Sequence, residues 1–362
     1  MKQEFVFLKK RLHSLREIIS SMNIDSFLIT FQPHLRYITG FSGSSGLALV
    51  TRSGAYIITD GRYATQIRNQ AHGWKIYITS QDLFEALRDT KLLRPQMRIG
   101  FDGNTLVFSQ FKRLKKMFPK TIFLPKADTI ERIAIRKDET EIAAIKRAAE
   151  ITDRVFNEIL QLLKPGVSEL DIAAEISYRH KMHGAEGDAF PSIIASGQRS
   201  ALPHGLASDN KIKKGDLVTL DFGSIYSGYH CDMTRTVGIG TLPTKAKKIY
   251  RVVLDAQMIA IESAISGRSA KEIDQIARNH ITKNGFGKYF RHSLGHGIGL
   301  QIHEQPRLSV LSKAVLQSGN VVTIEPGIYI PDFGGVRIED DIVIMNGYPE
   351  ILNKSPKELI IL

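Results

Sequence analysis

Cysteine and long apolar segments are scarce in this chain. A single cysteine, Cys231, among 362 residues excludes a disulfide framework and suits a reducing cytoplasm. No run of 18 apolar residues occurs, so the sequence predicts no membrane-spanning helix. The first 20 residues carry charges where a signal peptide would be apolar. We therefore expect a cytoplasmic protein with no membrane partner.

Acidic residues are also scarce, but only in the first third of the chain. Residues 1–130 hold 20 Lys and Arg against nine Asp and Glu, whereas the remainder holds 29 against 28. A positive domain of this kind can bind nucleic acid, and residues 112–116 form a basic cluster. Stacking aromatic side chains do not interleave with that cluster, so we favour a solvated helix face over a nucleic-acid partner.

The length and a hydrophobic fraction of 43% indicate two globular cores. Helix and strand patterns alternate in residues 1–130, which predicts an α/β layer. The predicted helices are 5–22, 61–71, 81–90 and 108–118, and the predicted strands are 25–31, 46–50, 54–59, 75–79, 97–101 and 121–124. A charged run and a long helix follow, and we predict domains 1–130 and 131–362 of the α/β (α+β) class.

The second domain contains a weak internal repeat. Residues 165–172 and 266–273 each combine a glycine turn, a serine suited to an N-cap and an acidic residue three positions later. The repeat predicts two related α/β halves around a central sheet.

Two predicted β-hairpins in this domain each carry a pair of acidic residues. In the first, a turn centred on Tyr226-Ser227 would place Asp221 opposite Asp232. In the second, Glu325 and Glu339 lie almost symmetrically about the turn. Two neighbouring carboxylates repel each other, so a cation between them is the natural resolution.

A single imidazole completes a candidate ligand set. His296 lies between Gly295 and Gly297, and we expect these glycines to let the backbone approach a ligand closely. Four carboxylates and one imidazole, without a thiolate, form a hard donor set that suits Mn(II) better than a thiolate-type zinc site. Each of the five residues alone is more typical of a solvated, capping or core position. Together, the symmetrical hairpins predict a site for two divalent ions.

Seven short motifs carry the most specific information in the sequence. They are Leu202-Pro203-His204-Gly205, Thr219-Leu220-Asp221-Phe222-Gly223, Cys231-Asp232-Met233-Thr234-Arg235-Thr236, Gly295-His296-Gly297-Ile298-Gly299, His303-Glu304, Ile324-Glu325-Pro326-Gly327 and Val336-Arg337-Ile338-Glu339-Asp340. In order and spacing they resemble the motifs of the proline-specific metallopeptidases, aminopeptidase P and prolidase. Residues 37–43 and 59–63 are similar to the N-terminal domain of the same group. The resemblance implies a creatinase-like N-terminal domain followed by a pita-bread catalytic domain.

The resemblance also implies a role for each candidate ligand. Asp221 would bind one metal ion, Asp232 and Glu339 would bridge two, and His296 and Glu325 would bind the second. The implied cofactor is a pair of divalent ions, with Mn(II) favoured and Co(II) or Zn(II) as alternatives. A water shared by two such ions loses a proton near neutral pH, and the resulting hydroxide would attack a peptide carbonyl.

Further residues are implied to act on the substrate. His204 and His303 match catalytic histidines beside the scissile bond, and Glu325 would pass a proton to the leaving nitrogen. The candidate substrate-binding residues are His204, His292, His303, Tyr329 and Arg337, with Tyr229 as a further candidate for a proline pocket. Apart from the resemblance, the two histidines would be interpreted as a loop residue and a capping contact, and the two tyrosines as ordinary strand residues.

These features predict a metallo-exopeptidase that hydrolyses the Xaa-Pro bond at the N-terminus of peptides, of the aminopeptidase P type. The alternative is a prolidase, which acts only on Xaa-Pro dipeptides and needs a cationic group for the free carboxylate. A methionine aminopeptidase and a non-enzymatic binding module are weaker alternatives. The resemblance implies a homodimer or homotetramer, and His34 and Arg62 are candidates to reach a neighbouring subunit's site.

Overall fold

The structure, a computed structural model, describes residues 2–362 and divides the chain between Ala134 and Ile135 into two compact units. Both units combine helices with β-sheets, which confirms the predicted α/β class. Within residues 2–362, no helix combines the length and the apolar character that crossing a bilayer requires.

The first unit is built on a six-stranded mixed sheet with the strand order β4-β3-β2-β1-β5-β6. Its helices are α1 (Lys2–Ser21), α2 (Gln32–Thr39), α3 (Ala64–Gln70), α4 (Leu83–Asp89), α5 (Phe108–Met117) and α6 (Glu131–Ala134). Its strands are β1 (Ser26–Ile29), β2 (Leu47–Thr51), β3 (Ala55–Asp60), β4 (Lys75–Thr79), β5 (Arg98–Phe101) and β6 (Ile122–Pro125). The apolar runs of β1 and β2 are buried because these strands lie at the centre of the sheet.

Helix α2 was missed by the sequence prediction. Pro33 lies in its first turn, where the fixed φ and the missing N–H are tolerated. Gly40 ends the helix in the left-handed conformation, with a φ of 77°. The start and stop signals are therefore in the sequence, but eight residues are too few for hydrophobic periodicity to distinguish helix from strand.

The second unit contains two helix pairs and four small sheets. Its helices are α7 (Glu139–Ile159), α8 (Glu169–Met182), α9 (Thr244–Ser263) and α10 (Ala270–Lys283). Its strands are β7 (Gly187–Asp188), β8 (Ile193–Ser196), β9 (Leu217–Phe222), β10 (Ser224–Tyr226), β11 (Tyr229–His230), β12 (Met233–Gly238), β13 (Gly295–Gly297), β14 (Glu304–Leu308), β15 (Val321–Ile324), β16 (Gly327–Ile330), β17 (Gly334–Arg337), β18 (Asp340–Val343) and β19 (Glu350–Ile351). The sheets have the strand orders β11-β10-β7, β12-β9-β8, β14-β13-β15-β18-β19 and β16-β17.

The two helix pairs match the predicted repeat. Helices α7 and α9 have 21 and 20 residues, and α8 and α10 have 14 each. Ser168 and Ser269, which precede α8 and α10, each form an isolated antiparallel bridge, to Lys211 and Val315. Only Ser168 completes the predicted capping box. The prediction is wrong for Ser269, whose side chain makes no capping hydrogen bond.

Each helix pair covers one apolar cluster of the sheets. Val155 of α7 packs in a cluster with Leu220 of β9, and Val253 of α9 packs in a second cluster with Ile342 of β18. Burying apolar surface contributes about 25 cal/mol per Å², so these clusters hold β9 and β18 firmly under their helices. The acidic hairpins are extensions of these two strands.

Candidate metal centre

The first acidic hairpin turns at Ser227-Gly228, one residue later than predicted. Both residues have positive φ, 49° and 79°, as a two-residue type I′ turn requires. Moving the turn by one residue shifts each cross-strand partner by two, so Asp221 pairs with Thr234 rather than with Asp232. A shift of two residues keeps the same face of the sheet. Asp232 still lies near Asp221. The pKa of Asp232 reflects this, because it is raised first by burial and then by the charge of Asp221.

The second acidic hairpin has the predicted symmetry. Strand β15 pairs with β18, and β16 pairs with β17, in one continuous register that places Glu325 opposite Glu339. Both glutamates fall between the two ladders, where the strand pairing is interrupted. Their side chains therefore extend from a fixed backbone at a break in the sheet.

Strand β13 holds His296 between two other strands. A Cβ atom added to Gly295 would lie 2.0 Å from the carbonyl oxygen of Thr323, and one added to Gly297 would lie 2.2 Å from that of Gln305. The glycines thus admit neighbouring strands, and the close approach of a ligand stays a prediction. The Nδ1 atom of His296 donates to the carbonyl oxygen of Gly297 at 3.0 Å, which leaves Nε2 with a free lone pair.

The acids and the imidazole converge on one buried point. Asp232, His296 and Glu339 each offer a ligand atom, and the three atoms lie within 4.8 Å of one another. The Nε2 atom of His296 lies 3.7 Å from Asp232 Oδ2 and 3.5 Å from Glu325 Oε1. Among the described residues, no donor reaches the buried Oδ1 atoms of Asp221 and Asp232 or Oε1 of Glu339. Buried carboxylate oxygens without donors are costly unless a cation binds them, so these residues fit a divalent metal ion.

Burial also controls the protonation of this group. Burial raises the pKa of Glu325 to about 8. Burial first, and then the charges of neighbouring carboxylates, raise the pKa values of Asp232 and Glu339 well above the ordinary range. Burial lowers the pKa of His296 to about 4. Without metal, Glu325 therefore retains its proton at neutral pH, and metal binding must release it.

Arg337, Tyr329 and His292 form a hydrogen-bonded row beside the acids. Arg337 donates to Asp221 through Nη2 and to the Tyr329 hydroxyl through Nη1, at 2.7 Å in the second case. The Nδ1 atom of His292 donates to the carbonyl oxygen of Ser293, so its Nε2 accepts from the Tyr329 hydroxyl at 2.9 Å. Burial lowers the pKa of His292 to about 3 and keeps the ring neutral. The polar atoms of Arg337 and Tyr329 are thus engaged by protein groups.

His204 and His303 lie at the exposed side of the group. The ring of His303 packs edge-on against that of His296, with the centroids 4.4 Å apart. Burial lowers the pKa of His303, and the charges of Arg307 and His204 lower it further. The exposed imidazoles of His204 and His303 therefore lie near each other at the open side of the acids.

Arg307 was missed by the sequence analysis. Its side chain is exposed on β14, and its charge adds to burial in lowering the pKa of both His296 and His303. The part of the chain that the structure describes offers its guanidinium no hydrogen-bond partner. The sequence indicates Arg307 only as a basic residue three positions after the His303-Glu304 motif.

Three other candidates lie apart from this group. The Tyr229 hydroxyl donates to Glu141 at 3.2 Å, near the start of α7. In the first unit, His34 is buried between two carboxylates of its own domain, so the prediction that it reaches a neighbouring subunit is wrong. Arg62 is exposed and pairs with Asp60 at 2.9 Å.

Comparison with known proteins identifies the family. A sequence profile of metallopeptidase family M24 matches residues 143–346, and a profile of the Creatinase/Prolidase N-terminal domain matches residues 11–134. The chain belongs to metallopeptidase family M24. Membership of M24 and the geometry of Asp232, His296 and Glu339 agree that a divalent metal is the cofactor.

The M24 relatives also bear on specificity. An Xaa-Pro dipeptidase of Pyrococcus horikoshii is 41% identical over 98% of this chain and 99% of its own. The structure of an Xaa-Pro dipeptidase from Bacillus anthracis matches with a TM-score of 0.95 and 42% identity over 98% of this chain and 100% of its own. The structure of an X-Pro aminopeptidase from Thermotoga maritima matches with a TM-score of 0.90 and 37% identity over 94% of this chain and 98% of its own.

These similarities confirm the predicted pita-bread fold, the creatinase-like N-terminal domain and a metallo-exopeptidase of the Xaa-Pro type. The relatives named as dipeptidases favour the prolidase alternative over the predicted aminopeptidase P type.

Proposed function

We propose that this M24 enzyme is an Xaa-Pro dipeptidase that uses two divalent ions, with Mn(II) favoured. The observation that carries the proposal is the buried cluster of Asp232, His296 and Glu339 with its unpartnered carboxylate oxygens. No thiolate lies among the donors, and a hard oxygen-rich set suits Mn(II). The relatives named Xaa-Pro dipeptidase, which match nearly the whole chain, support the substrate class.

Five side chains would hold the ions. They are Asp221, Asp232, His296, Glu325 and Glu339. Bound divalent ions supply Lewis acidity and an acidic water. The chain itself supplies a buried set of donors.

The proton transfers fall to Glu325 and the two exposed histidines. Glu325 would take up the proton released as water attacks and deliver it to the proline nitrogen. Thr323 Oγ1 donates to Glu325 Oε1 at 3.1 Å and keeps the carboxyl group in place. His204 and His303 would donate to the oxygen on which negative charge develops.

Proline selectivity would come from two uncharged rings beside the acids, those of His292 and Tyr329. The Xaa-Pro amide has no N–H, so recognition must depend on the ring. His292 is neutral and half-buried, and its ring packs 5.4 Å from that of Tyr329, centroid to centroid. This pair would contact the pyrrolidine ring. Arg337 holds Tyr329 and Asp221 in place through its hydrogen bonds to both.

Arg307 would provide the cationic group that a dipeptidase needs. A dipeptide ends in a carboxylate next to the proline ring, and a guanidinium binds a carboxylate through two parallel hydrogen bonds. The guanidinium of Arg307 is exposed near His303, whereas that of Arg337 already binds Asp221. The free cation supports a dipeptidase over an enzyme that acts on longer peptides.

Substrate length tests this proposal. Chelator-stripped enzyme given Mn(II) should hydrolyse an Xaa-Pro dipeptide faster than its C-terminal amide or an Xaa-Pro-Xaa tripeptide. Arg307→Ala should raise KM for the dipeptide by roughly 10- to 100-fold, because a hydrogen bond to a charged group contributes about 1.5–3 kcal/mol. Arg251→Ala, on an exposed arginine of α9, is the matched control. Equal rates on all three substrates, unaffected by Arg307→Ala, would favour the aminopeptidase P type.

A further inference from the structure

Glu169 is a fully buried carboxylate outside the proposed metal centre, with an exposed fraction of 0%. It is the first residue of α8, but the capping box of that helix is formed by Ser168 and Asp171. Capping therefore does not require the Glu169 side chain. A buried charge is tolerated only where hydrogen bonds and counter-charges offset its desolvation, so its partners indicate its role.

The partners of Glu169 lie at both ends of one loop, residues 196–210, which we name the His204 loop. At its start, Glu169 Oε1 accepts from the backbone N–H and the hydroxyl of Ser196, at 2.8 and 3.0 Å. At its end, Oε2 accepts from the backbone N–H and the hydroxyl of Ser208, at 3.2 and 2.7 Å, and Oε1 accepts from Asn210 at 3.1 Å. One carboxylate thus closes the loop at its base.

Arg199 extends this contact towards the tip of the His204 loop. Its Nε donates to Glu169 Oε2 at 3.0 Å, and its Nη2 donates to the carbonyl oxygen of Leu206 at 2.6 Å. Leu206 lies two residues after His204. The guanidinium therefore connects the buried carboxylate to the segment that presents the imidazole.

The opposite side of the His204 loop contacts the second acidic hairpin, which carries Glu325 and Glu339. Arg337 donates to the carbonyl oxygen of Pro203 at 3.2 Å, and the backbone N–H of Gly335 donates to Ser200 at 2.9 Å. The loop is consequently held between Glu169 at its base and Arg337 beside its tip. No described residue hydrogen-bonds to the His204 imidazole, so its position depends on the backbone of the loop.

We propose that Glu169 is a positioning residue for His204 in peptide hydrolysis. The inference rests on the proposed function, in which His204 donates to the reacting carbonyl oxygen. Glu169→Gln would replace one acceptor oxygen by a donor that faces other donors, and this would loosen the base of the loop. A displacement of about 1 Å in a catalytic group can lower a rate by roughly 100-fold.

Steady-state kinetics on an Xaa-Pro dipeptide test this role. Glu169→Gln in the Mn(II)-loaded enzyme should lower kcat by roughly 10- to 100-fold, with little change in KM or in the amount of bound Mn(II). Glu169→Asp, which keeps the charge, should recover part of the loss. Glu175→Gln is the matched control, because Glu175 lies on the same helix but is exposed and paired with Arg179.

A double-mutant cycle separates positioning from general destabilisation. If Glu169 acts through His204, adding Glu169→Gln to His204→Ala should lower kcat no further. Asn210→Ala, which removes a single donor, should give a smaller loss with the same dependence on His204, and it serves if Glu169→Gln does not fold. Equal losses in both backgrounds, or a parallel loss of Mn(II), would overturn the inference.

The cycle also distinguishes this inference from the proposed function. An inactive wild-type enzyme, or a fully active His204→Ala variant, would contradict the proposed function itself. A slow His204→Ala variant beside a fully active Glu169→Gln variant would contradict only the role of Glu169.

Discussion

Glu325→Gln is expected to stabilise the metal-free enzyme and to weaken its stabilisation by metal. Burial raises the pKa of Glu325 from 4.5 to about 8. Between these pH values, the folded chain retains a proton that the unfolded chain releases. The free energy of unfolding of the metal-free enzyme therefore falls as the pH rises from 4.5 to 8. Below this window both states hold the proton, and the carboxyl group carries no such cost.

The size of this effect follows from the same pH range. Each pH unit above 4.5 lowers the free energy of unfolding by about 1.4 kcal/mol, so at pH 7 the buried carboxyl group destabilises the metal-free enzyme by about 3 kcal/mol. Glutamine has no charge to bury, and its oxygen can still accept the 3.1 Å hydrogen bond from Thr323. The melting temperature of the metal-free variant at pH 7 should exceed that of wild type by roughly 4–6 °C, and the difference should shrink towards pH 4.5.

Calorimetry of chelator-stripped enzyme, with and without Mn(II), measures both effects. Mn(II) should raise the melting temperature of wild type more than that of the variant, because glutamine offers only a neutral oxygen. Glu350→Gln is the control: Glu350 is exposed and pairs with Lys146, so its replacement should change stability by no more than about 0.5 kcal/mol. A variant less stable than wild type without metal would refute the burial argument. An unchanged response to Mn(II) would refute Glu325 as a ligand.

Three further predictions concern the same site. Asp232→Ala should abolish Mn(II) binding and hydrolysis together, and activity in the metal-loaded variant would contradict a bridging role. His204→Ala should bind Mn(II) as wild type does in a calorimetric titration, but its kcat should fall by roughly 100-fold or more, since it loses a proton donor. Mn(II) uptake at pH 7 should release protons, because burial raises the pKa of Glu325 to about 8 and also raises the pKa values of Asp232 and Glu339. Titrations in buffers of different ionisation enthalpy count those protons, and a count of zero would contradict the raised pKa values.

The two hairpins illustrate how far sequence reasoning could go. Glu325 and Glu339 could be placed opposite each other because the predicted strands are symmetrical about a clear turn. The aspartate hairpin was placed one residue early, because Ser227 adopts a positive φ that serine rarely takes and that the type I′ turn requires. The error moved the partner of Asp221 by two positions, which preserved the face and therefore the candidate site.

Contacts between distant segments could not be predicted. The hydrogen bond between His292 and Tyr329 joins residues 37 positions apart, and the contact of Arg337 with Asp221 joins residues 116 apart. Neither leaves a local pattern. Arg307 was missed for the same reason, because its proximity to the imidazoles depends on how β14 pairs with β13. Sequence patterns predicted which residues carry chemistry, while packing decides which of them are hydrogen-bonded to other protein groups.

Hydrolysis of Xaa-Pro dipeptides at a dinuclear metal site is tested by the rate at which chelator-stripped enzyme cleaves a dipeptide as Mn(II) is added stepwise. We expect no activity without metal and a maximum at about two equivalents per chain. Full hydrolysis without metal, or none at saturating Mn(II), would contradict this expectation.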